Sequence, residues 1–308
     1  MCAPSYQLET NLVQWEAREG RHMSLPLHRL PGSILIERSR NMKRRIGLWL
    51  AASSFTVLLV ACGGGGEQKP AETAESKPAE SAAPAGPVTT VDPATAATIT
   101  GKVSFEGEKP KPRQIRMDAE ASCASLHKEQ VFAEEVVVND NKTLQYVFVY
   151  VKEGLGDKTF AASTEPVMLD QKGCLYTPHM VAVQVGQTLK IHNSDPTTHN
   201  IHPVPANNRE WNTSMSPGGS PLDRTFAREE VMIPVKCNVH PWMKSYIGVL
   251  KHPFFAITGK DGSFEIKGLP PGEYTIEAWH EKLGATTQKV TVAAKDSKAV
   301  DFTLKATS

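Results

Sequence analysis

From residue 98 to the C-terminus, the sequence consists of short apolar segments separated by turn residues, and no long amphipathic helix pattern interrupts them. Residues 98–105 alternate between apolar and polar side chains, as a half-buried strand does, and residues 146–151 are apolar on both faces, as in a central strand. Only residues 118–128 favour a short helix. The pattern therefore predicts an all-β fold.

Turn residues near the C-terminus indicate which kind of all-β domain this part of the chain forms. Residues 261–274 alternate between apolar and polar positions, and Asp-Gly and Pro-Pro-Gly supply the turns. They resemble the DG-x-F-x-I-x-x-LPPG-x-Y signature of the carboxypeptidase regulatory-like domain, a transthyretin-like β-sandwich, at every motif position. In that family a Gly-Lys-Val strand opens the domain, and here it lies upstream at residues 101–103. The resemblance implies a sandwich of residues 96–164 plus 253–308, with a second module inserted over residues 165–252.

Four side chains of the inserted module suit a metal ion. His199 follows a predicted strand, and Cys237, His240 and Met243 share one short loop. A thiolate, two imidazoles and a thioether are ligands that copper accepts in both of its oxidation states. A strand that ends at Cys237 and turns tightly would bring the loop ligands to one point, and His199 would arrive from a neighbouring strand end. Zinc would accept the thiolate and the imidazoles but would gain little from the thioether.

These ligand segments resemble those of the cupredoxins. The loop reads Cys-x-x-His-Pro-aromatic-Met, as in amicyanin-like members, and the segment before His199 resembles the strand that precedes the first ligand. The resemblance implies a cupredoxin Greek-key β-sandwich that holds a single type 1 (blue) copper ion. Its implied ligands are His199, Cys237, His240 and Met243.

The resemblance also assigns neighbours of the metal. Asn200 would tie the two ligand segments together by hydrogen bonds. Pro241 and Trp242 would surround His240, and Trp242 stands where the family usually has phenylalanine. Cupredoxins expose this histidine at an apolar patch through which electrons pass, so an exposed His240 is expected here.

For function, the resemblance implies a one-electron carrier, not an enzyme. Its expected partners are small redox proteins such as c-type cytochromes, or a membrane oxidase. Lys and Arg number 34 against 33 Asp and Glu, and this balance gives no reason to expect a nucleic-acid partner. The alternatives are copper storage, delivery or sensing, and a carbohydrate-binding or partner-binding sandwich with a structural copper site.

The N-terminal part reads as a targeting segment. Residues 42–61 combine a basic start with an apolar stretch that is shorter than the ~20 residues of a membrane-spanning helix. Leu-Val-Ala-Cys at residues 59–62 resembles the lipobox of bacterial lipoproteins, which implies a lipid on Cys62 and a membrane anchor at the cell envelope, on the periplasmic face. Gly63 is not the aspartate typical of inner-membrane retention, which leaves the outer membrane open. An ordinary cleaved signal is the alternative.

Two flanking segments are not expected to join a core. Residues 1–41 precede a complete signal, and we interpret them as an extension from a start codon assigned too early. Residues 62–95 are rich in Pro, Ala, Glu, Ser, Thr and Lys, a composition that predicts a disordered linker between the lipid and the folded part.

The cysteines can be assigned by elimination. Three of the five cysteines have other assignments: Cys2 belongs to the extension, Cys62 would be the lipid attachment site, and Cys237 would be a metal ligand. Cys123 and Cys174 remain, and an exported protein meets an oxidising compartment in which thiols pair. We therefore predict a Cys123–Cys174 disulfide. The alternative is a second metal site that uses Cys123 with His127 and Cys174 with His179.

Overall fold

The computed structural model describes residues 87–306. Almost every regular element in this range is a strand, which confirms the predicted all-β fold class. The strands are β1 Ala97–Glu106, β2 Gln114–Ile115, β3 Val131–Phe132, β4 Phe148–Glu153, β5 Val167–Gln171, β6 Tyr176–Thr177, β7 Met180–Gln184, β8 Leu189–Asn193, β9 His199–Pro203, β10 Thr213–Met215, β11 Leu222–Arg224, β12 Glu230–Lys236, β13 Lys244–Leu250, β14 Phe255–Ile257, β15 Ser263–Leu269, β16 Gly272–His280, β17 Gly284–Val292, β18 Ser297–Ala299 and β19 Phe302–Lys305. The short helix α1 spans Ala121–Ala124, within the predicted residues 118–128. Nowhere in residues 87–306 is a helix both long and apolar enough to span a membrane.

The first β-sandwich combines strands from both ends of the described range. In one sheet β1 pairs with β15 on one side and with β18 and β19 on the other, and the second sheet has the order β14-β4-β16-β17. The apolar faces of the two sheets form one core, which includes Ile99, Val149, Phe264 and Ile276. Strands that precede residue 154 therefore share sheets with strands that follow residue 254.

A second sandwich is formed by the strands between these two groups. Its sheets have the orders β10-β9-β12-β13-β7 and β11-β8-β5-β6. The pairs β13–β7 and β5–β8 are parallel and the remaining neighbours are antiparallel, so both sheets are mixed. Its core includes Leu169, Ile191, Ile233 and Ile247. The topology is that of one sandwich interrupted by another, while the predicted boundaries at residues 165 and 252 remain predictions.

An apolar interface joins the two sandwiches. Phe148 of β4 packs in one buried cluster with Met180 of β7 and with Met232 and Leu250. Gly248 of β13 permits this approach, since a Cβ there would lie 2.9 Å from the Met232 sulfur and 2.9 Å from the Phe148 ring. The inserted sandwich is thus packed against the first one and not merely connected to it.

Two predicted segments have different boundaries in the structure. The strand predicted from residue 146 begins at Phe148, because Tyr146 adopts a φ of 61° that a strand does not accommodate. The segment predicted as a linker reaches residue 95, but Val88 forms a bridge with Thr159, and the Thr89 amide donates to the Thr159 carbonyl. The last residues of this segment are therefore attached to the sandwich.

Two buried histidines make the fold sensitive to acid. Burial lowers the pKa of His252 and of His280 to about 4, and for His280 the nearby Glu281 opposes this shift while His179 and Lys282 add to it. An unfolded histidine titrates near ~6.5. Between these values the unfolded chain binds protons that the folded chain does not, so each histidine removes up to roughly 3 kcal/mol of stability as the pH falls from 6.5 to 4.

We therefore expect these two histidines to leave the free energy of unfolding unchanged above pH 6.5 and to lower it steadily as the pH falls below 6.5. Urea unfolding at pH 7.5 and pH 4.5 measures the difference, and His252→Gln should reduce it by about half because it removes one of two similar contributions. An equal pH dependence in the variant and the parent protein would contradict this assignment.

Candidate metal centre

The four predicted ligands lie at one end of the inserted sandwich. His199 is the first residue of β9, and the loop of residues 237–243 connects β12 to β13. Because Lys236 pairs with His202 in antiparallel register, the loop that follows Lys236 runs alongside the start of β9. Strand register alone therefore brings Cys237 and His240 next to His199.

The geometry is that of a compact, water-excluded site. His199 Nδ1 lies 2.9 Å from His240 Nδ1, and Cys237 Sγ lies 3.8 Å from His240 Nδ1. One ligand atom from each of these residues falls within 4.8 Å of the others. Exposure is 0% for His199, 2% for Cys237, 1% for His240 and 0% for Met243. The structure thus brings His199, Cys237 and His240 together, with Met243 in the same buried cluster as Cys237, and their role as metal ligands remains a prediction.

The loop is closed by its own backbone. The Met243 amide donates to the His240 carbonyl at 3.0 Å, and the Cys237 amide donates to the Met243 carbonyl at 3.3 Å. These two bonds bring the ends of the loop together, and the Met243 side chain is fully buried. A tight turn of this kind is what the Cys-x-x-His-x-x-Met spacing requires.

Asn200 connects the two ligand segments, as the resemblance implied. Its Oδ1 atom accepts hydrogen bonds from the backbone amides of Asn238, at 2.6 Å, and Val239, at 3.3 Å. Its Nδ2 atom donates to Asn212 Oδ1 at 2.6 Å, which fixes the orientation of the amide group. The bonds from one side chain therefore set the distance between β9 and the ligand loop.

The environment of Cys237 favours its thiolate. Burial raises the pKa of this thiol, but hydrogen bonds from His199 and from the backbone amides of Asn200 and His240 oppose burial and leave the pKa below its usual range. Cys237 is also the only free cysteine in residues 87–306. A stabilised thiolate is the form in which cysteine binds metal ions.

Asp195 orients His199, a contact that sequence reasoning missed. Its Oδ2 atom lies 2.9 Å from His199 Nε2, and the same carboxylate accepts the amides of Gly173 at 2.6 Å and Cys174 at 2.7 Å. The ring nitrogen Nδ1 is thereby directed at His240, and a carboxylate behind a ligand histidine is a common support in metal sites. Burial lowers the pKa of His199, but Asp195 and Cys237 outweigh it and raise this pKa to about 9. A carboxylate in the turn just before the ligand is the only sequence signal for this contact.

The expected exposure of His240 is wrong. Its side chain is buried beneath a segment that we name the cap, residues 113–133, which comprises β2, α1 and β3. Ile115, Met117 and Cys123 of the cap belong to the same buried cluster as Cys237 and Met243. The cap lies outside the inserted module in sequence, so the ligand segments gave no indication of it.

The predicted disulfide is confirmed. Cys123 in the cap and Cys174, between β5 and β6, are bonded, with their Cα atoms 5.6 Å apart. Both sulfurs lie within 4.8 Å of a ring nitrogen of His240, so the disulfide forms part of the wall of the site. It also excludes the alternative second metal site, since His127 Nε2 bonds to the Gly173 carbonyl and His179 pairs with the Glu281 carboxylate.

Trp242 and Pro241 take different positions beside His240. The Trp242 ring centroid is 5.1 Å from that of His240, and Nε1 donates to the Cys174 carbonyl at 3.0 Å. Pro241 is exposed. The indole therefore contacts both the ligand histidine and the disulfide-bearing turn. The proposed lipid attachment site Cys62 and the predicted signal lie outside the described residues.

Comparisons with known proteins found one matching family and several similar solved structures. Residues 251–305 match the family described as the carboxypeptidase regulatory-like domain. No curated protein matches the chain. The similar solved structures include a copper-containing nitrite reductase from Thermus scotoductus SA-01, with 21% identity over 30% of this chain and a TM-score of 0.27. This chain spans only 24% of that enzyme.

Two smaller proteins are matched along nearly their whole length. A purple cupredoxin from Nitrosopumilus maritimus is 21% identical, with 27% of this chain and 98% of that chain covered and a TM-score of 0.24. An amicyanin variant in its reduced state is 20% identical, with 33% and 97% covered and a TM-score of 0.25.

Proposed function

We propose that this chain binds one copper ion through His199, Cys237, His240 and Met243 as a type 1 site and carries single electrons. The observation that supports this most directly is the burial of these four side chains, with His199, Cys237 and His240 gathered at one point and the Cys237 thiolate stabilised. A trigonal set of two imidazoles and a thiolate with a weak thioether is typical of blue-copper sites, in which copper changes oxidation state without changing its ligands.

The surroundings favour electron transfer over catalysis. A catalytic metal needs an open coordination position for water or substrate, whereas each proposed ligand here is at most 2% exposed, and the cap lies over His240. Bonds from Asp195 and Asn200 would keep the ligands in place when the copper charge changes. We therefore propose a carrier rather than an enzyme.

We further propose that the carrier works at the cell envelope, attached through a lipid on Cys62. The lipobox-like sequence supports this location, and the Cys123–Cys174 disulfide is consistent with an oxidising compartment. Its partners in this proposal are small redox proteins such as c-type cytochromes, or a membrane oxidase.

Copper titration of a protein that begins at residue 63 tests the central proposal. We expect one Cu(II) ion per chain and an intense visible absorption from thiolate-to-copper charge transfer, because Cys237 would bind copper directly. A colourless complex, or a band that requires several copper ions per chain, would contradict a type 1 site. Zn(II) should compete for the site without producing the band.

A further inference from the structure

The buried ligands raise the question of how electrons would enter and leave the site. Outer-sphere transfer needs close contact between the metal ligands and a partner, and His240 does not reach the surface. Building on the proposed function, we propose that electrons pass through Trp242 and that the cleft beside it is the docking surface for a negatively charged redox partner. The cleft is lined by Arg113, Arg116, Lys244, Glu135, Ile115, Pro241 and Trp242.

Trp242 is the side chain that connects the buried ligand with this cleft. Its ring lies 5.1 Å from the His240 ring by centroids, it is partly exposed, and it lines the cleft together with exposed Pro241. The bond from its Nε1 atom to the Cys174 carbonyl holds the indole in this position. An electron that leaves His240 toward the cleft therefore meets an ordered aromatic ring in van der Waals range of the ligand.

The charge of the cleft selects the partner. Three cations share the single carboxylate of Glu135, which lies 3.4 Å from Arg113, 3.3 Å from Lys244 and 3.7 Å from Lys282. Arg116 at the rim pairs with Asp118, and both are well exposed.

The further acids around the cleft have partners of their own, since Asp118 pairs with Arg116 and Glu281 pairs with His179. Glu134 lines the smaller adjacent cavity, where it accepts a hydrogen bond from Tyr146 Oη. Among the side chains that line the cleft itself, three cations stand against one carboxylate, so its surface attracts an anionic partner and repels a cationic one.

The openness and the lining of the cleft suit contact with a partner surface. It encloses about 350 Å³ and opens widely to solvent. Its lining combines apolar Trp242, Pro241 and Ile115 with charged side chains, and aromatic residues and arginine are enriched in protein interfaces. The step itself is the transfer of one electron between Cu(I) and an oxidised partner, or between a reduced partner and Cu(II), and no bond forms or breaks.

Two oxidants of opposite charge test the inference on the Cu(I) protein. In stopped-flow measurements at low salt, hexacyanoferrate(III) should react faster with the parent protein than with Arg113→Glu/Lys244→Glu, by about tenfold. Tris(phenanthroline)cobalt(III) should react faster with the variant. Added salt should reduce both differences. The milder Arg113→Gln/Lys244→Gln protein should show smaller changes in the same directions, and Lys267→Glu, in the exposed part of β15, should change neither rate.

Trp242→Leu separates the route from the docking surface. This variant should lose rate with both oxidants, while Trp242→Phe should restore much of that rate because an aromatic ring again bridges His240 and the cleft. The reduction potential is measured for each variant so that a change in driving force is not mistaken for a change in route. Equal rates in the parent protein and Trp242→Leu would overturn the route, and equal effects of the charge reversal on both oxidants would overturn the docking surface.

A copper-free measurement keeps the inference distinct from the copper proposal. The fluorescence of Trp242 is the component that Trp242→Phe removes. Iodide should quench this component more strongly than caesium does, and Arg113→Glu/Lys244→Glu should reverse that preference. Charge-selective quenching in a protein that forms no visible copper band would overturn the copper proposal alone. A normal band with no charge selectivity would overturn the cleft alone.

Discussion

Replacing Cys237 with serine is expected to abolish the visible charge-transfer band of the copper-loaded protein completely. The band requires a thiolate bonded to copper, and the other two cysteines of residues 87–306 are joined in a disulfide. A serine hydroxyl is a hard, neutral ligand at pH 7 and does not replace a thiolate for Cu(I). Absorption and equilibrium copper binding of parent and variant measure the loss. A band that survives in Cys237→Ser would mean that another sulfur is the ligand.

Met243→Leu is the matched control for this experiment. It removes a thioether from a fully buried position of the same loop with little change in volume, a type of exchange that folded cores tolerate well. We expect the visible band to persist and the reduction potential to rise, because losing the axial donor weakens Cu(II) binding more than Cu(I) binding. Loss of the band in this variant would contradict a weak axial role for Met243.

The second large effect is expected from Cys123→Ser/Cys174→Ser. The disulfide closes a sequence separation of 51 residues, for which chain entropy predicts a loss of about 4 kcal/mol of stability. The cap should also loosen over His240, and each ~1.4 kcal/mol removed from cap closure raises its open fraction tenfold. Urea unfolding measures the first effect. Transfer of copper to a chelator under native conditions measures the second, and we expect it to accelerate by at least tenfold.

These two readouts distinguish a structural from a protective role. If the disulfide only stabilises the fold, then a comparably destabilised protein with an intact disulfide, such as Ile276→Ala in the core of the first sandwich, should lose copper equally fast. Faster copper loss in the disulfide variant than in Ile276→Ala would identify the cap as the barrier. Equal rates would contradict that role.

Most of the candidate site was accessible from the sequence because its members are close along the chain. Cys237, His240 and Met243 lie on one seven-residue loop, and residue type together with loop length limits what such a loop can bind. Cys123 and Cys174 were paired by elimination, since the other cysteines had competing assignments. The alternation of apolar residues and the turn residues likewise determined the strands, because these are local properties of the chain.

The tertiary structure decided what depends on segments that are distant in sequence. More than a hundred residues separate the cap from His240, and no local pattern relates them. Packing of Ile115 and Met117 around the disulfide buries this histidine, which the resemblance placed at the surface. The role of Asp195 also depends on the tertiary structure, because only its contact with His199 distinguishes it from other turn carboxylates. The cleft likewise forms only in the folded chain, where Arg113 and Lys244 meet at Glu135. The sequence by itself determined which side-chain types the candidate site offers, since the metals that a side chain can bind depend on its residue type. Which ligand is covered and where a partner has access follow from three-dimensional packing alone.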